Sequence, residues 1–394
     1  MVIKSAVVVT PEGPKELDVR IEKGKIAELG VSLEDKNSIE AKGKYLMPAM
    51  VDIGVGVMDG KLRGGTLEKL SQKARANGFG TVVLSSLCVP RIDNEITLEF
   101  AKSQAQLCKE TKILPLLSGV REEGGLSDCA ILLKEGAVGI EFESHIDGNL
   151  IRRLMEYASM FGVKLFCRAN DPALQGEGVM HEGSVSSRLG LAGVPAVAES
   201  SQLARIGEFA EYYGTDVIVL GASTPQTLKI CAQSPRLHAQ ISLHHILLDD
   251  TACDNYDTSG KVWPPLRDEA MRTSMFEAVV RGEVDMITSL HTPVSKTAKD
   301  AVFANAAYGV EGLNQFLPLL YTHLVKKGGL NIASLMKMTA SSPARAVGLE
   351  GKKGAIAPGY DADLLLFDPD FSFRCTDSGS PYEGMEIIGR IEAL

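Results

Sequence analysis

The sequence lacks the features that would direct a protein to a membrane, to nucleic acid or to an oxidising compartment. No stretch approaches the ~20 apolar residues of a membrane span, and no basic segment, apolar run and cleavage site open the chain. Lys and Arg number 41 against 50 Asp and Glu, a net charge of −9 that gives nucleic acid no basic surface. The seven cysteines are odd in number and include no Cys-x-x-Cys pair, which indicates reduced thiols. We therefore expect a soluble, cytoplasmic protein that binds neither a membrane nor nucleic acid.

The composition is that of an ordinary globular protein, with 45% hydrophobic and 23% charged residues among 394. Such a length is enough for one large domain and a smaller one. Short β-rich runs fill the first 47 residues, and the same character returns after about residue 350. The sequence therefore predicts a composite, β-sandwich-like side domain from residues 1–48 and 348–394, beside a larger domain at 49–347.

The larger segment alternates short apolar runs with amphipathic segments. One amphipathic segment places Leu67, Leu70 and Ala74 on one helix face and ends at Asn77-Gly78. The apolar runs have the length of buried parallel strands. They lie at 51–55, 80–86, 112–118, 138–142, 163–167, 216–220, 239–243 and 285–290. This alternation predicts an α/β fold, a (β/α)8 TIM-like barrel; a doubly wound open sheet is the alternative that the pattern leaves open.

Several segments of the chain together resemble dihydroorotases of the amidohydrolase superfamily, over nearly the whole length. They are "YLMPAMVDIGVGVMDG", "KLFCRANDPAL", "GSVSSRLGLAGVPAVAE", "SLHHILLDD", "YDTSGKVWPPLR" and "SSPARAVGLEGKKGAIAPGYDADLLLFDPD". The resemblance implies a barrel of the metallo-dependent hydrolase type, in which a divalent metal activates water to attack a cyclic amide. It also implies metal ligands at the C-terminal strand ends: a His-x-His pair, a carboxylate, two further histidines and an aspartate.

The positions that the resemblance assigns to the metal carry other residues in this chain. They are Gly54, Gly56, Arg168, Gly221 and Leu290. A carboxylate remains after the fourth strand, as Glu141 or Glu143. The substrate-contacting positions of the family are replaced as well, by Met58, Leu87, Trp263 and Val294. Because glycine, leucine and arginine do not bind divalent cations, we expect no metal and no other cofactor.

These replacements predict a catalytically inactive dihydroorotase homologue. Inactive relatives in that family assemble with aspartate transcarbamoylase, so the resemblance implies a structural or regulatory partner of that enzyme, and a homodimer. Two alternatives stay open. The chain is a hydrolase of cyclic amide C–N bonds, or another enzyme that works without metal through Arg168, His291 and Asp171. Otherwise it is a small-molecule sensor that binds a carboxylate or ureido acid through Arg168.

A pocket at the barrel mouth is predicted from the strand ends and, for Trp263, from the substrate-contacting position that the resemblance implies. Its candidate residues are Arg168, Glu141, Glu143, Asp171, His291 and Trp263. We expect Arg168 to replace the metal by pairing with one of the two glutamates, because an unpaired buried carboxylate is costly; a solvated loop arginine is the alternative. The adjacent His244 and His245 point to opposite faces of a strand, which favours structural hydrogen bonds over chelation. His181 is expected to face solvent in a loop.

Overall fold

A computed structural model describes residues 1–392, so the last two residues of the predicted segment 348–394 lie outside the described chain. The strands are β1 (Val2–Thr10), β2 (Gly13–Glu22), β3 (Lys25–Gly30), β4 (Ser38–Glu40), β5 (Tyr45–Pro48), β6 (Met50–Val55), β7 (Phe79–Leu84), β8 (Lys112–Pro115), β9 (Leu117–Ser118), β10 (Ile140–Glu143), β11 (Leu165–Arg168), β12 (Met180–His181), β13 (Gly193–Val194), β14 (Val217–Ala222), β15 (Leu237–Ser242), β16 (Met286–Thr288), β17 (Leu364–Arg374) and β18 (Glu386–Glu392).

The helices lie mainly between the strands of the larger domain. They are α1 (Thr66–Ala76), α2 (Glu95–Gln106), α3 (Cys129–Lys134), α4 (Gly148–Phe161), α5 (Pro172–Gln175), α6 (Ser184–Leu189), α7 (Val197–Tyr213), α8 (Pro225–Gln233), α9 (Leu243–Leu247), α10 (Glu269–Val280), α11 (Lys296–Lys299), α12 (Phe316–Leu320), α13 (Ile332–Met336) and α14 (Ser342–Ala346). Wider helical turns continue α12 to residue 327 and join α13 to α14. Within residues 1–392, no helix is both long and apolar enough to cross a bilayer.

Parallel strands form two arcs that together make the barrel wall. One arc is β6-β7-β8, and the other runs from β9 through β10, β11, β14 and β15 to β16. Strands β8 and β9 are one strand interrupted at Leu116, whose N–H donates to Leu84 O at 3.0 Å. All eight predicted apolar runs therefore contribute a strand of the wall. Their near-continuous apolar sequence reflects burial on both faces.

The barrel closes between its last strand, β16, and its first, β6. Thr288 Oγ1 donates to Asp52 Oδ1 at 2.6 Å, and Ser289 Oγ donates to the second oxygen of the same carboxylate. Gln240 on β15 adds a bond from its Nε2 to Ile53 O at 3.1 Å. Burial raises the pKa of Asp52 to about 6. A fully buried carboxyl group thus connects the first and last strands of the barrel, β6 and β16.

Helix α1 illustrates how the outer helices attach to this wall. Leu67, Leu70 and Ala74 are all buried, as the spacing predicts. The helix ends at Asn77, and Gly78 follows with φ of +82°, a left-handed conformation that glycine adopts without strain. Helices α4 and α7 likewise end at glycines in left-handed conformations. The helix predicted from the spacing of Leu67, Leu70 and Ala74 is confirmed.

Both ends of the chain meet in one mixed sheet beside the barrel. Its order is β18-β17-β5-β1-β2-β3, with β4 paired to β1. Strand β5 pairs with β1 in parallel and with β17 antiparallel, so the N-terminal and C-terminal strands share one ladder. The predicted union of the two ends is present, but as a single seven-stranded mixed sheet where the sequence predicted a sandwich-like unit. The boundaries at residues 48 and 348 stay predictions.

Candidate functional site

A cavity of about 870 Å³ opens where the barrel strands end at their carboxyl termini. We call it the mouth cavity. Its lining includes Gly54, Gly56, Lys61, Glu143, His145, Arg168, Trp263 and Tyr308. Reactive groups of such barrels are found at this end, because the loops that follow the strands converge there. A volume of this size accommodates a small-molecule ligand.

The floor of the mouth cavity holds a buried ion pair. Arg168 Nε, at the end of β11, donates to Glu141 Oε1 at 2.8 Å. The Glu141 side chain has no exposed surface, whereas 20% of the Arg168 side chain is exposed, on the cavity side. Arg168 is therefore not a solvated loop residue, and its partner is Glu141 rather than Glu143.

The Glu141 carboxylate is also bound by the two serines that follow β7. Ser85 Oγ lies 3.0 and 2.9 Å from the two carboxylate oxygens, and Ser86 donates from its N–H at 2.6 Å and its Oγ at 2.9 Å. These donors satisfy the oxygens of the buried carboxylate. The Arg168 guanidinium is consequently fixed in position by groups on β10 and after β7, two strands that β8 and β9 separate.

Gly54 lies beside the guanidinium in a left-handed conformation. Its φ of +85° favours glycine, and a Cβ atom there would be in ordinary van der Waals contact with Arg168 Nη2, at 3.7 Å. On the other side of the barrel, a Cβ on Gly221 would lie 3.7 Å from Leu290 Cδ1 and 3.3 Å from Pro264 Cδ. The space around positions 221 and 290 is thus occupied by apolar atoms.

The residues at these positions do not fit the divalent metal that the family resemblance implies. Gly54 and Gly56 offer no ligand atoms, Leu290 is apolar, and Arg168 brings a fixed positive charge to the floor. No group of three or more His, Cys, Asp or Glu side chains in the described part of the chain is arranged to hold a metal ion. We therefore derive no chemical step through a metal.

One wall of the mouth cavity is aromatic. Trp263 and Tyr308 meet edge to face, with ring centroids 5.3 Å apart. Lys261 fixes this wall from behind, because its Nζ donates to Phe303 O at 2.6 Å and Ala306 O at 2.8 Å. The same Nζ lies 4.5 Å from the centroid of Tyr308. A rigid aromatic surface therefore faces the charged floor.

The predicted pocket residues separate into two groups. Glu143, Arg168 and Trp263 line the mouth cavity, and Glu141 lies directly beneath its floor. Asp171 does not line it: its carboxylate accepts from Ala173 N at 2.9 Å at the start of α5 and from Gln202 Nε2 at 3.0 Å. His291 does not line it either, and is found instead in the lining of a neighbouring cavity.

The other histidines have structural surroundings. His244 Nδ1 lies 2.6 Å from Tyr382 Oη, and His245 Nδ1 lies 2.7 Å from Ser242 Oγ. Burial lowers the pKa of His244 to about 3 and that of His245 to about 4, so both rings are neutral. The expectation that His181 faces solvent is wrong. It lies in β12, which pairs with β13, and only 3% of its surface is exposed.

Several residues of the mouth cavity were missed from the sequence, among them Lys61, His145 and Tyr308. His145 follows β10 by two residues, and that position after a barrel strand is a signal that could have indicated it. Lys61 and Tyr308 lie in long connections whose placement depends on the folded chain.

Comparisons with known proteins agree on a family of enzymes. Residues 300–386 match the family described as "Amidohydrolase family". The dihydroorotase of Pelotomaculum thermopropionicum is 32% identical over 410 residues, covering 99% of this chain and 95% of that protein. The dihydroorotase of Thermoanaerobacter sp. (strain X514) is 29% identical over 412 residues, covering 100% and 95%.

Solved structures support the fold. The L-hydantoinase (dihydropyrimidinase) from Arthrobacter aurescens superposes with a TM-score of 0.88 at 23% identity, over 98% of this chain and 92% of that one. A D-hydantoinase (dihydropyrimidinase) from Thermus sp. gives a TM-score of 0.84 at 22% identity, over 99% and 92%. The chain therefore has the barrel architecture of these proteins, with a mixed-sheet side domain.

The matches also correct the functional prediction. A catalytically inactive homologue with a structural or regulatory role is contradicted, because relatives that match along nearly the whole chain carry the name of an enzyme. The prediction gave decisive weight to the altered metal positions and too little to this similarity. The association with aspartate transcarbamoylase, the homodimer and the cytoplasmic location stay predictions.

Proposed function

We propose that this chain, which belongs to the dihydroorotase family, hydrolyses the C–N bond of a cyclic amide at the mouth of a (β/α)8 barrel. Three features support the proposal: the near full-length similarity, a cavity of small-molecule size at the strand ends, and a fixed cation in its floor. The observation on which it depends most is the Arg168 guanidinium, held by Glu141 and open to the cavity.

Arg168 has donors left for a ligand. Its Nε is used by Glu141, and its Nη2 makes only a long contact of 3.4 Å with Ser85 Oγ. No bond from Nη1 is found to any residue between 1 and 392. The free edge of the guanidinium suits a carboxylate or a polarised carbonyl oxygen of a small ring. The Trp263 and Tyr308 rings provide a surface for the apolar face of that ring.

The proposed reaction proceeds by addition of water to the ring carbonyl. Arg168 stabilises the negative charge that develops on the carbonyl oxygen, as an oxyanion-binding group does. Glu143 or His145, both in the lining, accepts the proton from water and returns it to the ring nitrogen as the C–N bond breaks. The products are a free N–H and a carboxylic acid, and the acid releases its remaining proton to solvent to become the carboxylate, so atoms and charge balance.

The test is an activity measurement on the purified full chain in the presence of a chelator. Dihydroorotate and a hydantoin are offered in the ring-opening direction, and carbamoyl-aspartate in the closing direction, followed by NMR. We expect turnover that the chelator leaves unchanged. Arg168→Met should lower kcat/KM by roughly 100-fold or more, as the loss of an oxyanion donor does. Arg153→Met, an exposed arginine without an ion pair in the described chain, is the matched control.

Each outcome has a defined meaning. Turnover that disappears with the chelator contradicts the metal-free reaction. Absence of turnover for all three compounds contradicts the hydrolase. Saturable binding of carbamoyl-aspartate without turnover, lost in Arg168→Met but kept in Arg153→Met, replaces the hydrolase by the sensor of carboxylates or ureido acids.

A further inference from the structure

A second cavity, of about 580 Å³, lies beside the mouth cavity. We call it the side cavity. It lies between the start of α1 and the segment after β16. The two cavities share a wall formed by Gly56, Val57, Asp59, Lys61 and Pro293. No step of the proposed hydrolysis uses the side cavity, so its lining needs a separate explanation.

The lining of the side cavity is positively charged in a chain whose net charge is −9. Four cationic side chains contribute to it against two acidic ones. They are Lys61, Arg63, Lys69 and Lys73 against Asp59 and Glu311.

Both acidic groups already have partners. Glu311 Oε2 lies 2.5 Å from Lys73 Nζ, and Asp59 Oδ1 accepts from Ser295 N at 2.7 Å. Lys61, Arg63 and Lys69 have no carboxylate within 4.0 Å in the part of the chain that the structure describes. Three cations in one lining thus remain without a counter-charge.

A buried histidine adds an unsatisfied group to the same cavity. His291 lines the side cavity, is only 2% exposed, and its Nδ1 has no hydrogen-bond partner. An unpaired polar atom in the interior is costly, so such a position points to a missing partner. Burial lowers the pKa of His291 to about 3, so the neutral ring offers an N–H donor without adding charge.

The start of α1 points in the same direction. Gly64, Gly65 and Thr66 belong to the lining, and α1 has 11 residues. Gly65 occupies the N-cap position and has no side chain to accept from the first-turn N–H groups. The Gly65 N–H donates to Gln104 Oε1 at 3.2 Å and the Thr66 N–H donates to Arg63 O at 3.1 Å, so this helix start favours an anion through the helix dipole.

We propose that the side cavity binds a phosphate group, as inorganic phosphate or as a small phosphate monoester. The group carries nearly two negative charges and three or four acceptor oxygens. Those charges match the excess of two cations in the lining. Lys61, Arg63 and Lys69 provide donors for those oxygens, the α1 dipole adds a favourable field, and His291 lies in the lining at the buried end of the cavity. A dicarboxylate of similar charge spreads its oxygens over a longer molecule and fits one confined set of donors less well.

The experiment is isothermal titration calorimetry of the full chain with inorganic phosphate, and with succinate as the dicarboxylate. The test variant is Lys61→Ala/Arg63→Ala, and the matched control is Lys134→Ala/Arg153→Ala, which removes the same two charges from exposed positions elsewhere. We expect saturable phosphate binding, weakened roughly tenfold or more in the test variant and unchanged in the control. His291→Asn should weaken binding as well, with thermal melting used to verify that each variant is folded.

Several results overturn the proposal. Absence of saturable phosphate binding does so, and so does equal affinity for succinate. Undiminished binding in Lys61→Ala/Arg63→Ala places the anion elsewhere, for example at Arg168. If the test and control variants lose the same amount of phosphate affinity, the loss comes from the change in net charge and not from a site in the side cavity. None of these readouts depends on hydrolytic activity, so the hydrolase proposal and the phosphate-site proposal are tested independently.

Discussion

Arg168 and Glu141 meet through a 2.8 Å hydrogen bond beneath the barrel mouth, although Arg168 lies opposite Glu143 in the register of the two strands. Glu141 and Glu143 point to the same face of β10, two residues apart along the strand. The deeper carboxylate is selected because Ser85 and Ser86 surround it with donors. The shallower Glu143 is thereby left free to line the cavity. Because Arg168 pairs with the deeper carboxylate, Glu141 has a structural role and Glu143 remains available for chemistry.

Glu141→Gln is expected to destabilise the protein by about 3–5 kcal/mol, because the amide cannot accept from all the donors that face it and leaves Arg168 without a counter-charge. Urea unfolding followed by circular dichroism measures the change. Glu123→Gln, at an exposed position without an ion pair among residues 1–392, is the control and should change stability by less than about 0.5 kcal/mol. Equal stabilities of the two variants would show that the Glu141 cluster contributes little.

Asp52→Asn is expected to change how stability depends on pH. Asp52 releases its proton near 3.8 when unfolded but near 6 when folded. Between these pH values only the folded state keeps the proton, so the free energy of unfolding falls as pH rises. Asparagine does not titrate, so from pH 4 to pH 7 the variant should gain roughly 2–2.5 kcal/mol relative to the native chain.

Urea unfolding at several pH values between 4 and 7 measures that difference. Asp370→Asn, at an exposed position, provides the control and should follow the native curve. If Asp52→Asn also runs parallel to the native curve, the carboxyl group is ionised in the folded protein over the whole range, and the raised pKa is wrong.

The strands could be predicted from the sequence because each consists of a local apolar run. A parallel strand that is buried on both faces has an almost continuous apolar sequence. Segment 112–118 was therefore predicted as a strand, even though its hydrogen-bond ladder is interrupted at Leu116. The union of the two chain ends was predicted from their shared β character. They form one sheet because β5 pairs with β1 on one edge and with β17 on the other. Such pairing between distant segments could not be predicted from local sequence.

The candidate site was less predictable because it depends on how deeply each side chain is buried and on which distant segments meet in the folded chain. His181 is buried by the pairing of β12 with β13, which no local pattern indicates. His291 and the cations at positions 61 and 63 are more than 200 residues apart in the sequence, yet line one cavity. Residue type and strand end were enough to find Arg168, and the family resemblance indicated Trp263. They were not enough to divide the residues between the two cavities.

Tyr382→Phe is expected to destabilise the protein by about 1–3 kcal/mol. Tyr382 is 3% exposed, and its hydroxyl is the hydrogen-bond partner of Nδ1 on the buried His244 ring. Without the hydroxyl, this nitrogen of a buried histidine is left unpaired. Thermal and urea unfolding measure the loss. Tyr212→Phe, at a side chain that is 83% exposed, should leave stability unchanged, and a similar loss there would contradict the role of the buried bond.

A second buried ion pair joins two segments on which the family resemblance rests. Glu199, from "GVPAVAE", accepts from Ser223 N at 2.9 Å and Thr227 Oγ1 at 2.6 Å. Arg267, from "KVWPPLR", lies 3.4 Å from Glu199 through its Nη2 and donates from Nε to Ser223 Oγ at 3.0 Å. Both side chains are only 3% exposed. These segments are therefore held together inside the protein, which gives both motifs a structural role.

A double-mutant cycle tests that role. Glu199→Gln and Arg267→Met should each cost about 3–5 kcal/mol, because each leaves the other charge buried and unpaired. The double variant should cost less than the sum by roughly 1–3 kcal/mol, since no lone charge remains. The exposed pair Glu277 and Arg281, 61% and 52% exposed, provides the control cycle, where the coupling should be only about 0.3–0.5 kcal/mol. Additive losses at Glu199 and Arg267 would mean that the two segments are held by packing, and that the charges do not act as a pair.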